Sequence, residues 1–123
     1  MHLLPADQLE PVRAHLDRQG YAVASVVTPV EGGLRAAQAE IARTLRLPAV
    51  AGTNLDAMAD ALRDLPQIWG TDQVALLWED AERLAADDGR AWWILGEILD
   101  DAEDLTVVAF GEARMGRPSD LPS

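Results

Sequence analysis

Carboxylates are the side chains in this sequence best placed to do chemistry, and two groups of them stand out. Asp56 and Asp60 lie four residues apart in a segment whose apolar set, Leu55, Met58, Leu62 and Leu65, has helical spacing. Their backbone positions are separated by one turn, ~6 Å along a helix axis. Two carboxylates so spaced imitate successive anionic groups of a polymer, and suit a surface that normally binds phosphates. Like charges at this spacing cost roughly 0.2–0.5 kcal/mol in an isolated helix. A purely local reading is open as well: Asp56 suits the dipole of a first helical turn, and Asp60 can pair with Arg63.

The second group is larger. From Glu79 to Asp104 there are ten acids (Glu79, Asp80, Glu82, Asp87, Asp88, Glu97, Asp100, Asp101, Glu103, Asp104) against Arg83 and Arg90. Most read as solvated helix faces, helix-start residues or turn residues. Asp100, Asp101, Glu103 and Asp104 crowd a helix C-terminus, where the dipole disfavours anions by roughly 0.3–1 kcal/mol each. Acids placed against local preference point to an external basic partner.

Other chemistries lack their residues. There is no cysteine, so thiolate catalysis, disulfides and sulfur-ligated zinc are out of reach. Two histidines, His2 and His15, do not make a metal or catalytic cluster. No phosphate-binding glycine loop, G-x-S-x-G elbow or H-E-x-x-H motif occurs, and Asp87-Asp88-Gly89 lacks the alternating ligands of a calcium loop. The expectation is a protein with no metal, no cofactor and no catalytic residues. A formal charge of -11 repels nucleic acid and anionic lipid and attracts basic proteins. No secretory signal and no bilayer-length apolar run is visible, so a cytoplasmic location is expected.

The elements that would position the acids follow from periodicity. Residues 5–19 read as a helix striped by Leu9, Val12 and Leu16, with Gly20 after it. Residues 21–28 read as a strand buried on both faces, 34–46 as a helix ended by Pro48, and 53–65 as the helix of Asp56 and Asp60. Strands at 74–78 and 105–110 bracket helices at 79–87 and 90–103. Helical crossovers make the strands parallel. The expected fold is α/β: a small three-stranded parallel sheet packed with helices, divided into an N-terminal helical extension (1–20), a core domain (21–110) and a flexible tail (111–123).

The stretch Leu47-Pro48-x-x-x-Gly52-x-Asn54-Leu55-Asp56-Ala57-x-x-Asp60-x-Leu62 resembles the signature of the barstar family, intracellular inhibitors of the ribonuclease barnase. Leu77-Trp78-Glu79 resembles the family's second strand with its buried tryptophan, and Asp104-Leu105-Thr106-Val107-Val108 its last strand. The resemblance covers about residues 21 to 110. It implies that the loop and helix plug a ribonuclease active site, with Asp56 and Asp60 meeting its catalytic basic residues. It further implies that Val50, Gly52, Asn54 and Ala59 belong to the partner-binding surface. Counting back from the last strand places a third contact acid on Glu97, with Ile94 beside it. Two family aromatics are replaced here, by Val50 in the loop and Ala59 on the helix. The acidic frame survives while the specificity surface has changed.

Trp69 is a candidate replacement aromatic, the other reading being a loop residue folded onto the core. Of adjacent Trp92 and Trp93, which point about 100° apart, one is expected in the core. The other would pack on the N-terminal helix or stand exposed as an interface anchor. The expected function is a barstar-like inhibitor or immunity protein that occludes a basic ribonuclease or nuclease toxin, monomeric when free. A non-inhibitory interaction domain of the same fold and a carboxylate-dependent enzyme are the alternatives.

Overall fold

The computed structural model describes residues 3–111. The element order is β1 (Leu3–Leu4), a 3-10 turn (Ala6–Gln8), α1 (Leu9–Arg18), β2 (Ala22–Val27) and α2 (Gly33–Thr44). A second 3-10 turn (Ala49–Gly52) leads into α3 (Leu55–Leu62), α4 (Leu65–Trp69) and β3 (Val74–Glu79). The chain then runs through α5 (Ala81–Asp87), α6 (Gly89–Asp100) and β4 (Leu105–Phe110).

The strands form one sheet in the order β1-β4-β3-β2, and every pairing is parallel. This corrects the expected sheet: there are four strands, because Leu3 and Leu4 pair with Ala109 and Phe110 at one edge. Two residues are too short a run to show an alternation, which is why the sequence hides this strand.

Alternation along the longer strands sorts their side chains to two faces. Ala24, Val26, Val74, Leu76, Trp78, Leu105 and Ala109 share one core with Ala37, Ile41, Leu45, Met58, Leu62, Leu95 and Leu99 from the helices. Ala75, Leu77 and Phe110 point the other way and share a second core with Leu16, with Leu9, Val12 and Val23 packed against it. A parallel sheet needs cover on both faces. Helices α2 through α6 supply one cover and α1 supplies the other.

That placement corrects a second expectation. The stripe of α1 packs on the far face of the sheet, with Leu16 buried and Leu9 and Val12 half-buried, and not against the Trp92/Trp93 helix. The reason is geometric: α6 already lies on the first core, leaving the Ala75/Leu77/Phe110 face as the apolar surface open to α1. Nor is β2 buried on both faces. It is an edge strand of the sheet, and Val27 is 49% exposed. The expected helix over 53–65 is broken at Arg63–Asp64, and a short α4 follows with Pro66 in its first turn. Proline suits that position because its missing N–H has no helical partner there. The tail expected to be flexible lies, beyond Gly111, outside the described residues.

One consequence concerns stability alone. Leu16→Ala empties the centre of the second core, where the leucine is 7% exposed. Urea unfolding is expected to show a loss of about 2–5 kcal/mol, the usual range for a buried leucine.

Candidate functional site

The loop before α3 is held from both ends. At its start, α2 closes in a double hydrogen bond: Leu47 N–H donates to Ala42 O at 2.9 Å and Arg46 N–H to Arg43 O at 3.1 Å. This motif puts Arg46 in the left-handed region at φ 64°, a place glycine usually fills. Trp69 offsets that strain. Its Nε1–H donates to Leu45 O at 2.9 Å, and the Arg46 guanidinium lies 4.1 Å from the indole centroid.

The middle of the loop is fixed by Gln38, a buried side chain whose Nε2 donates to Ala51 O at 3.0 Å. Gly52 is buried against α2, and a Cβ there would meet Ala39 Cα at 3.5 Å, an ordinary contact. At its end the loop turns into α3 through Asn54, whose Oδ1 accepts from Ala57 N–H at 3.0 Å. Val50 stands out from this frame at 56% exposure.

Along α3, Asp56, Ala59, Asp60 and Arg63 fall at i, i+3, i+4 and i+7, so they form one stripe. Both aspartates are exposed. Asp60 is paired with Arg63 at 3.3 Å, and the two side chains are 74% and 80% exposed. Such a pair contributes roughly 0–1 kcal/mol and exchanges easily for another. On α6, Ile94, Glu97, Ile98 and Asp101 repeat the same spacing. The two stripes converge on a groove of about 580 Å³, walled by Ala59, Leu62 and Arg63 from α3 and by Ile98 and Asp101 from α6. Ala102, Glu103 and Asp104 close its end, so the groove mouth is anionic.

The candidate residues therefore sort into groups. Asp56, Ala59 and Asp60 share a face of α3, and Ile94 and Glu97 belong to the α6 stripe that reaches the same groove. Val50 projects from the loop, whereas Gly52 is buried and Asn54 is occupied as a cap. Gly52 and Asn54 thus shape the surface. Trp69 is the last residue of α4, half-buried, with its polar edge tied to Leu45 and its face to Arg46. It is a positioning residue for the loop. Trp92 packs on Trp78 with centroids 5.2 Å apart, while Trp93 is 64% exposed. Arg63 and Asp101 were not singled out by sequence as groove walls; their i+3 and i+4 spacing from Asp60 and Glu97 was the available signal.

The remaining acids are not equivalent. Glu40 accepts from Arg43 at 2.7 and 3.1 Å, and that hydrogen bonding, with the guanidinium charge, holds its carboxyl below the usual range. By contrast, among the described residues no arginine lies within 4.0 Å of Asp56 or Glu97. Among those residues, too, no group of three or more His, Asp or Glu side chains gathers as a metal site, and no helix is long and apolar enough to cross a membrane.

Trp69→Phe tests the loop's anchorage. It keeps an aromatic six-membered ring and removes the pyrrole ring with the N–H that donates to Leu45 O. A destabilisation of about 1–2 kcal/mol is expected by urea unfolding, the range for leaving a partly buried acceptor unmet. An unchanged midpoint would mean that the loop is held without this bond.

Comparison with known families places this architecture. The model of the family described as Barstar (barnase inhibitor) matches residues 33–114, more than half the chain. The match takes in the whole loop, α3 and α6, and leaves out β1, α1 and β2. No individual curated protein matches the chain. With the loop, the acid-bearing helix and the closing strand all inside the matched span, the chain belongs to the barstar family, a family of inhibitors rather than of catalysts.

Proposed function

We propose that this protein is a stoichiometric inhibitor of a basic ribonuclease or related nuclease toxin, acting by occlusion in the cytoplasm of the cell that makes it. The observation that carries this reading is the set of exposed acids on α3 and α6, the two helices whose Ala59, Leu62, Ile98 and neighbours wall one groove. Asp56 and Asp60 present two carboxylates one helical turn apart, and Glu97 supplies a third from the neighbouring helix. A nuclease holds successive phosphates with arginine, lysine and histidine, and three exposed carboxylates offer those groups charge without a scissile bond. The inhibitor would bind where substrate binds, and nothing would turn over.

Rigidity matters as much as charge. Loop residues 46–54 are tied by backbone caps, the buried Gln38 side chain and the Trp69 bond, so little ordering remains to be done on association. Asp60 is the one central acid that already holds a cation. To engage a partner it must exchange Arg63, whose positive charge then sits beside an incoming basic surface.

That exchange gives two opposite expectations. Asp60→Ala removes a carboxylate that complex formation desolvates. Truncating one member of such a pair costs about 2–5 kcal/mol, and the barnase–barstar interface is among the complexes where strong coupling between close charges is established. Arg63→Ala frees Asp60 and removes a like charge, so affinity should rise by roughly twofold to fivefold, as expected for an exposed pair worth up to ~1 kcal/mol. The test is a pulldown from the native host, a ribonuclease assay on what is captured, and calorimetry with both variants. Equal affinity of Asp60→Ala and the wild type would remove Asp60 from the interface. Weaker binding by Arg63→Ala would make the arginine a contact residue.

A further inference from the structure

Trp93 is the exposed aromatic among the described residues: Trp78 and Phe110 are buried, and Tyr21, Trp69 and Trp92 are half-buried. It lies one turn before Glu97 and two turns before Asp100 on α6, so the three side chains line up on the solvent side of that helix. Nothing in the core requires an indole there. The adjacent Trp92 already meets Trp78, and Leu95 and Leu99 fill the first core.

Resting on the inhibitor reading above, we infer that Trp93 is an interface anchor that stacks on a basic side chain of the inhibited nuclease. Glu97 and Asp100 orient that same cation from the side. An indole face attracts guanidinium and ammonium groups, and the attraction strengthens when the pair is taken out of water. Carboxylates one and two turns along the helix add directional partners that hold a planar guanidinium over the ring. Charge selects the occupant. A second copy of this chain would bring Glu97 and Asp100 against other acids of a protein carrying a formal charge of -11, and anionic lipid would be repelled for the same reason.

The geometry also answers the changed specificity surface. Val50 and Ala59 stand where the family resemblance places aromatics, and Trp69 is committed to the loop. Hot spots favour tryptophan at well-packed centres of interfaces. The aromatic contact has moved from α3 and its loop to α6, on the other side of Glu97. The partner footprint therefore extends along α6 toward its N-terminus.

The test uses full-length protein and a panel of basic microbial ribonucleases that includes barnase, the tightest binder by calorimetry serving as probe. Asp60→Ala, Trp93→Ala, Trp93→Phe and Trp93→Leu are compared for affinity and melting temperature. Trp93→Ala should bind about tenfold or more weakly at an unchanged melting temperature. Phenylalanine should restore most of the loss and leucine much less, because leucine has area without a π face. If Asp60→Ala weakens binding and Trp93→Ala does not, the inference falls and the inhibitor reading stands. If no ribonuclease binds, or Asp60→Ala binds as tightly as the wild type, both fall. A drop in melting temperature with unchanged affinity would assign Trp93 a packing role within its own chain, overturning the inference. Equal rescue by leucine and phenylalanine would overturn the stacking on a cation.

Discussion

The arrangement of this protein depends on the burial of β3 from both sides. All but the last residue of Val74–Glu79 are buried, which a strand achieves only when both faces of its sheet are covered. The near face takes Val74, Leu76 and Trp78, and its cover consists of the helices that carry the acids. Trp78 is the pivot: its ring meets Trp92 of α6, and its Nε1–H donates to the buried Thr28 hydroxyl at 2.8 Å. Thr28 O in turn accepts from Arg83 at 2.7 Å, joining the end of β2 to α5. Because α3 and α6 are pressed onto the same core, their outer faces open on the same side. The convergence of the two acid stripes is thus a consequence of packing.

The far face explains the N-terminal residues outside the family match. Within the sheet, Ala75, Leu77 and Phe110 would meet water without α1, and at ~25 cal/mol per Å² of apolar area that exposure is unfavourable. The same segment extends the sheet by pairing β1 with β4. Arg13 donates to Ser25 Oγ at 3.0 Å, so the cover has a polar tie as well as an apolar one. None of these contacts touches α3 or its loop. The cover that α1 provides and the recognition surface proposed above thus lie on opposite faces of the sheet.

Several features were legible in the sequence because they rest on local rules. Short apolar runs bounded by turn residues located the three longer strands, period-3.6 patterns located most helices, and the i, i+3 spacing of Asp60 and Arg63 announced their pair. The features that stayed hidden depend on tertiary choices. Leu3–Leu4 becomes a strand only because β4 offers an edge. The stripe of α1 specifies burial without saying which surface receives it. Trp69 read either as a contact aromatic or as a loop residue folded onto the core, and its commitment to Leu45 and Arg46 depends on where α2 ends in space. Adjacent Trp92 and Trp93 were known to diverge, and only packing on Trp78 decides which of them turns inward.

The central claim is that carboxylates on α3 and α6 take the places of substrate phosphates. Its most direct measurement is a competition equilibrium between this protein and a short, non-cleavable oligonucleotide for one basic ribonuclease that it binds. Occlusion predicts mutual exclusion: apparent affinity for the protein falls in proportion to oligonucleotide occupancy, and no ternary complex forms at saturation. A ternary complex at saturation, with affinity for the protein unchanged, would show that the acids bind elsewhere on the enzyme and would contradict the account.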